Sequence, residues 1–67
     1  MKEYIAKVVD GKDLTEEEAR AAMKIMLEGE ATQAQIASFL TALRMKGETL
    51  EELVGLASVL RDKAETI

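Results

Sequence analysis

The chain of 67 residues contains no cysteine, no histidine and no proline, and its only aromatic residues are one tyrosine and one phenylalanine. The lack of cysteine excludes disulfide bonds and thiolate metal ligands. The lack of histidine excludes imidazole zinc ligands and general-base catalysis by imidazole. A domain of this size is usually marginally stable unless a disulfide, a metal or association supports it. Association with another chain or domain is the form of support that remains.

Charge and hydropathy narrow the class of protein further. Acidic and basic residues are interspersed and the formal net charge is −4, which argues against nucleic acid as a partner, because phosphate binding needs a concentrated basic face. No apolar run approaches the roughly 20 residues of a membrane span. The first residues, Met1–Asp13, lack the pattern of a signal peptide. The sequence therefore predicts a soluble, cytoplasmic protein that binds neither nucleic acid nor membrane.

What the sequence has in abundance is residues that favour helices, chiefly Ala, Leu, Glu, Met and Lys. Three helix starts are marked by capping boxes, in which a threonine is followed three residues later by Glu or Gln. The boxes are Thr15–Glu18, Thr32–Gln35 and Thr49–Glu52. Because such a box satisfies two otherwise unpaired backbone N–H groups, each one predicts the first turn of a helix.

Glycines mark the expected helix ends, since Gly11, Gly29 and Gly47 each follow an apolar segment where a left-handed terminator is favoured. No strand pattern competes with this interpretation. We predict an all-α fold, a small irregular four-helix bundle with short connections that forms one domain over residues 1–67. The predicted helices are Lys2–Asp10, Thr15–Glu28, Thr32–Lys46 and Thr49–Glu65.

The helical period also predicts which side chains form the apolar stripe of each helix. In the first two helices these are Ile5, Val8 and Val9 with Tyr4 beside them, then Ala19, Ala22, Met23 and Met26 flanked by Leu27. In the third helix they are Ile36, Leu40 and Leu43, with Phe39 and Ala42 to one side and Ala37 to the other. In the fourth they are Leu50, Leu53, Val54, Ala57 and Leu60, and Leu56 and Val59 extend that stripe.

The third helix carries an unusually wide apolar arc, roughly 220° against about 100° for an ordinary surface helix. Either this helix runs through the middle of the bundle, or part of its surface meets another chain or domain. Gly55 lies inside the fourth helix, where glycine costs about 1 kcal/mol relative to alanine. This position predicts the close approach of another helix backbone, with a ligand contact as the alternative.

Catalytic patterns are missing from the sequence. It has no glycine-rich phosphate loop, and Ser38 and Ser58 have no candidate base beside them in the pattern. The run Glu16–Glu18 is interpreted as a solvated helix start favoured by the helix dipole, rather than as a metal or catalytic cluster. We therefore predict no catalytic, cofactor-binding or metal-binding residue, and from the residues alone a helical association module.

The stretch Gly29–Thr49, GEATQAQIASFLTALRMKGET, together with GKDLTEEEA before it and EEL after it, carries a resemblance. It resembles the N-terminal helical domain of the anthranilate phosphoribosyltransferases, of glycosyltransferase family 3. The likeness runs from Met1 to about Ala64. The pyrimidine nucleoside phosphorylases share this domain but resemble the chain less closely.

The resemblance implies a parent enzyme that transfers phosphoribosyl from phosphoribosyl pyrophosphate to anthranilate, with magnesium, in tryptophan biosynthesis. In that family the helical domain packs beside a large α/β domain and forms one wall of the substrate cleft. The chain ends at Ile67, where the α/β domain would begin. We therefore expect a domain that is inert alone, holds no cofactor itself and has the missing α/β domain as a partner.

The resemblance also implies a homodimer joined through the first and third helices. The self-association residues it indicates are Tyr4, Ile5, Val8, Phe39, Ala42, Leu43 and Met45. Two alternatives stay open: a free-standing module whose groove accepts an amphipathic partner helix, and the helical domain of a pyrimidine nucleoside phosphorylase. A phosphate loop encoded downstream would indicate an enzyme, whereas a stop codon would indicate the module.

Overall fold

The computed structural model describes residues 1–64, and this range folds into four helices without a strand. The predicted all-α fold is confirmed, and the helix bounds agree to within one residue wherever they are described. The predicted end of the last helix, Glu65, lies outside the described residues. None of these four helices has the length and hydropathy of a membrane span. The helices are α1 (Lys2–Val9), α2 (Glu16–Leu27), α3 (Gln33–Lys46) and α4 (Leu50–Ala64).

Local sequence determines where the helices start. In the box that opens α2, the Thr15 hydroxyl accepts the Glu18 N–H at 3.1 Å and the Glu18 carboxylate accepts the Thr15 N–H at 2.9 Å. The same reciprocal pair forms at Thr32–Gln35 before α3 and at Thr49–Glu52 before α4. All three predicted capping boxes are therefore confirmed.

Glycines end the first two helices in the predicted way. Gly11 and Gly29 have φ angles of +80° and +75°, which other residues adopt only with strain. The amide after each glycine donates to the carbonyl five residues back, as in a Schellman motif. These sharp ends let short connections reverse the chain and bring the helices together.

Two helix pairs make up the bundle, with α2 packed mainly on α4 and α1 mainly on α3. Both pairs contribute to one apolar core. Phe39 is the largest side chain in it and is fully buried. The remaining buried members of this core are Val8, Leu14, Ala22 and Leu43.

The contact between α2 and α4 depends on Gly55. A Cβ atom at this position would lie 2.5 Å from the Glu16 carbonyl oxygen and 2.8 Å from the Ala19 Cβ. Both distances are below van der Waals contact, so only glycine permits this backbone approach. The predicted close approach of a second helix is confirmed.

The predicted apolar stripe of α4 lies mostly on the outer side of the bundle, and only its extension, Leu56 and Val59, is partly or fully buried. The residues of α4 that are buried are Glu52, Gly55, Ser58 and Val59, whereas the predicted apolar stripe points outward. The physical reason is that close packing on α2 selects small side chains, and periodicity does not distinguish an inward from an outward apolar stripe. The exposed fractions on the stripe are 76% for Leu50, 49% for Leu53, 43% for Val54 and 49% for Leu60, and Ala57 is also exposed.

Three further residues on or beside the predicted apolar stripes of their helices are exposed. They are Val9, Leu27 and Leu40, at 66%, 41% and 47%. Single exposed apolar side chains are common on the surface of a small bundle. Only apolar side chains that lie next to one another would indicate an interaction surface.

Replacing Gly55 by alanine tests the α2–α4 contact. In an unpacked helix this change would stabilise by about 1 kcal/mol. Here it is expected to destabilise by roughly 1–3 kcal/mol, because the new methyl group overpacks the α2 backbone. Urea unfolding followed by circular dichroism measures the difference. Ala57→Gly, on the exposed side of α4, is the control and should cost only the propensity term of about 1 kcal/mol. A stabilised Gly55→Ala variant would contradict the packing.

Candidate interaction surfaces

A shallow groove lies between the end of α1 and the outer side of α3. Val9 and Met45 line it, with 66% and 83% of their surfaces exposed. The other lining residues are mostly small, and include Ala37, Ser38 and Ala42. Small residues beside two exposed apolar side chains let another surface approach closely. We call this set the α1/α3 groove.

Three of the seven residues predicted for self-association are in the protomer's own core. Val8, Phe39 and Leu43 are at most 2% exposed, so they offer no surface to a partner in this conformation. In this protomer the phenylalanine fills the centre of the bundle, and the part of these three residues in self-association stays a prediction.

The other four residues of that set lie nearer the surface. Tyr4 and Ile5 are partly buried and pack against the core, whereas Ala42 and Met45 line the α1/α3 groove. Val9, which sequence periodicity placed on the apolar stripe of α1, lies in the groove with Ala42 and Met45. Their part in self-association stays a prediction.

The wide apolar arc of α3 does not place this helix in the middle of the bundle. Phe39 and Leu43 enter the core, but Leu40 and Met45 remain exposed, at 47% and 83%. Helix α3 therefore lies at the surface and has exposed apolar side chains beyond its core face.

The most deeply anchored polar group in the described chain is the carboxylate of Glu52, which is 0% exposed. Its Oε2 accepts the Leu14 backbone N–H at 2.7 Å. Its Oε1 accepts the Thr49 N–H and a proton of the Lys46 ammonium, both at 2.8 Å. One side chain thus joins the segment before α2, the end of α3 and the start of α4.

Lys46 completes this buried polar group, and its side chain is only 6% exposed. Besides Glu52, its ammonium donates to Asp13 Oδ1 and to the Gly47 carbonyl oxygen, both at 3.0 Å. Three acceptors match the three protons of an ammonium group. No buried side-chain polar atom in the described residues lacks a partner.

The hydrogen bonds of Glu52 and Lys46 favour their charged forms. Burial raises the pKa of Glu52, but the N–H groups of Leu14 and Thr49 and the Lys46 ammonium more than offset it, so its pKa lies below the ordinary glutamate value. Burial likewise lowers the pKa of Lys46, and the carboxylates of Glu52 and Asp13 outweigh it, so that pKa is raised. Both groups are therefore charged at neutral pH.

Sequence patterns identify Glu52 only as the glutamate of the third capping box, Thr49–Glu52. Its second role depends on Leu14, 38 residues earlier in the chain, and no local pattern reports a contact of that separation. Lys46 ends α3, where the helix dipole favours a cation, and its side chain is also buried against Glu52.

A second polar contact holds the other half of α4. Arg20 of α2 donates to the Ser58 hydroxyl and, at 3.3 Å, to Asp62. The Ser58 hydroxyl in turn donates to the Gly55 carbonyl oxygen at 2.9 Å. Polar anchors at Glu52 and at Ser58 therefore both face inward and fix the rotation of α4 about its axis.

Acidic residues do not converge on a metal site within the described part of the chain. Of the run Glu16–Glu18, the last carboxylate is engaged by the Lys7 ammonium at 2.7 Å and by the Thr15 N–H. The Lys7 contact, with that N–H, lowers the pKa of Glu18. The described residues consequently do not fit the magnesium that the resemblance implies for a parent enzyme.

Comparison with known proteins supplies the family context. A family model described as "Glycosyl transferase family, helical bundle domain" matches residues 2–64. No solved structure matches the chain significantly.

Curated relatives extend this match over the whole chain. The chain is 56% identical to an anthranilate phosphoribosyltransferase of Symbiobacterium thermophilum over 96% of its length. It is 54% and 57% identical, over its full length, to those of Acetivibrio thermocellus and Geotalea uraniireducens. In each case it covers 19% of the relative, so it spans about a fifth of their length.

Acid unfolding tests the buried carboxylate. Because the pKa of Glu52 is lower in the folded state, its contribution to the free energy of unfolding is complete above the ordinary pKa of 4.5 and is lost as pH falls through the lowered value. Glu52→Gln should reduce stability at pH 7 by about 3 kcal/mol, since Lys46 loses its buried counterion. The variant should also lose stability less steeply below pH 4.5. Urea unfolding at a series of pH values measures both effects.

The neighbouring Glu51 is exposed, so Glu51→Gln is the matched control and should leave stability nearly unchanged. Glu18 also has a lowered pKa, so part of the acid dependence should persist in both variants. Equal stability of the Glu52→Gln and Glu51→Gln proteins at pH 7 would show that the carboxylate of Glu52 is not the anchor.

Proposed function

Because the chain belongs to the glycosyl transferase family of helical bundle domains, we propose that it serves as the N-terminal helical domain of an anthranilate phosphoribosyltransferase. The observation that supports this most strongly is identity of 51–57% over 96–100% of the chain to enzymes of that name. These relatives favour this function over the helical domain of a pyrimidine nucleoside phosphorylase and over a free-standing binding module.

The proposed activity belongs to the longer enzyme. That enzyme would transfer phosphoribosyl from phosphoribosyl pyrophosphate to anthranilate in tryptophan biosynthesis, in the cytoplasm. The chain covers only 19% of such relatives. Any magnesium would find its ligands elsewhere, since the described residues hold no suitable acidic cluster.

The chain's own contribution would be architectural. Its deepest ionic pair, Glu52 with Lys46, is fully engaged inside the fold, so neither group is available to a substrate. The domain would form one wall of the substrate cleft beside the α/β domain and would join two copies of the enzyme.

We assign self-association to the α1/α3 groove. Val9 and Met45 are the exposed apolar side chains there, and the small residues between them allow close approach. In a two-fold dimer each patch meets its own copy, so the Met45 side chain of one protomer would lie against the groove of its partner. Exposed apolar surface of this kind usually marks an interface.

Sedimentation velocity at several concentrations tests the groove. The chain is expected to self-associate as concentration rises. Met45→Glu should weaken this association at least tenfold, because it would bury a charge without a partner. Gln33→Glu introduces the same charge at an exposed position on the same helix, outside the groove residues, and should leave association unchanged. A chain that stays monomeric at every concentration would contradict this role.

Enzyme activity tests the family assignment itself. A chimera in which this chain replaces the matching 67 residues of the Acetivibrio thermocellus relative should transfer phosphoribosyl to anthranilate. The 67-residue chain alone should show no such activity. A chimera that folds and dimerises but is inactive would contradict the assignment.

A further inference from the structure

Helix α1 is lightly held compared with the other three helices. It has eight residues, of which Val8 is the buried one, and no side-chain hydrogen bond caps its start. The other three helices each open with a complete capping box. Isolated helices shorter than about 12–15 residues have little stability in water. The stability of α1 therefore depends on its contacts with the rest of the bundle.

The turn that ends α1 is bonded to the helix itself. The Gly11 N–H donates to the Val8 carbonyl oxygen at 2.9 Å, and the Lys12 N–H donates to the Lys7 carbonyl oxygen at 3.0 Å. Both bonds lie within residues 2–12, so the helix and its turn can move together without breaking them. We call residues 2–12 the α1 strap.

The chain is anchored immediately after the strap. Asp13 accepts a proton of the Lys46 ammonium at 3.0 Å, and the Leu14 N–H donates to Glu52 at 2.7 Å. The Leu14 side chain is only 1% exposed, whereas Lys12 and Asp13 are both exposed. The surface link between Lys12 and Asp13 therefore separates a lightly held segment from a firmly held one, which is the position of a hinge.

Apolar contacts and one ion pair hold the strap against the bundle. Val8 enters the core with Phe39 and Leu43. The Lys7 ammonium donates to the Glu18 carboxylate of α2 at 2.7 Å, and the two side chains are 32% and 29% exposed. A partly exposed pair of this kind contributes modestly and is weakened by salt. It can therefore adjust the stability of the strap without affecting the fold of the other helices.

We propose that the α1 strap opens as one unit about the link between Lys12 and Asp13 while Leu14 stays bonded to Glu52, and that the ion pair of Lys7 with Glu18 controls how often it opens. Because α1 packs mainly on α3, opening uncovers core residues of α3 that are hidden in the closed bundle. The strap is thus a conformational device that gives transient access to the core. It is a property of the 67-residue chain and does not depend on the proposed function.

Native-state hydrogen exchange at low urea concentrations tests the opening. The Val8, Val9 and Asp10 amides are expected to share one opening free energy that depends weakly on urea, with protection at least tenfold below that of Leu14 and Ala22. Protection that rises steadily from Val8 to Asp10 would indicate fraying from the chain start and overturn the proposal. Strap amides as protected as Ala22, or a Leu14 amide that exchanges with the strap, would also overturn it.

Lys7→Gln tests the control by the ion pair. It should speed exchange of the strap amides roughly two- to fivefold and leave Leu14 and Ala22 unchanged. Salt at about 1 M should have a similar effect on the unaltered chain and little on the variant. Lys2→Gln removes the same charge from an exposed position of the same helix and should not speed exchange. Equal strap exchange in the Lys7→Gln protein and the unaltered chain would show that the pair does not control opening.

A single thiol tests whether opening uncovers the core. The chain has no cysteine, so Leu43→Cys provides one reporter in the face of α3 that enters the core. Its labelling by a thiol reagent should show the weak urea dependence of the strap amides measured in the same variant. Labelling with the steep urea dependence of the Ala22 amide would show that only global unfolding exposes this face, and would overturn the proposal.

Discussion

The buried carboxylate of Glu52 is the interaction on which the rest of the structure depends. It receives the Leu14 amide, the Thr49 amide and the Lys46 ammonium, and so ties three helices together at one point. A buried charge is stabilising only when its hydrogen bonds are satisfied. Here the donors are sufficient to lower the carboxylate pKa in spite of its burial. Because the chain has no cysteine, the buried carboxylate connects segments that many small domains would connect by a disulfide bond.

Because Glu52 faces inward, the residues half a turn away face outward. The spacing that puts Gly55 and Val59 against α2 leaves Leu53 and Leu60 at the surface. A small bundle with a polar inner helix face and an apolar outer one is difficult to explain as an isolated unit, since the apolar surface should be buried. Contiguous exposed apolar surface of this kind usually marks an interface.

Local features could be predicted from sequence and tertiary ones could not. The helix bounds and three caps depend on residues three or four apart, and Gly55 indicates a close approach by itself, so these predictions are confirmed. The partner of Glu52, Leu14, is 38 residues away and has no local signature. Periodicity shows that Leu53 and Leu60 share a face but not which way it points. Phe39 was indicated for self-association by the family resemblance, and no local pattern reports that it fills the core of its own protomer.

Amide hydrogen exchange at Leu14 tests the central role of Glu52 most directly. Leu14 lies outside every helix, and its N–H is bonded to the buried carboxylate. The Leu14 amide is expected to exchange as slowly as the amides of buried helical residues such as Ala22, and far more slowly than that of its neighbour Asp13. Rapid exchange at Leu14, equal to that at Asp13 in a chain whose Ala22 amide stays protected, would show that Glu52 does not hold the bundle together.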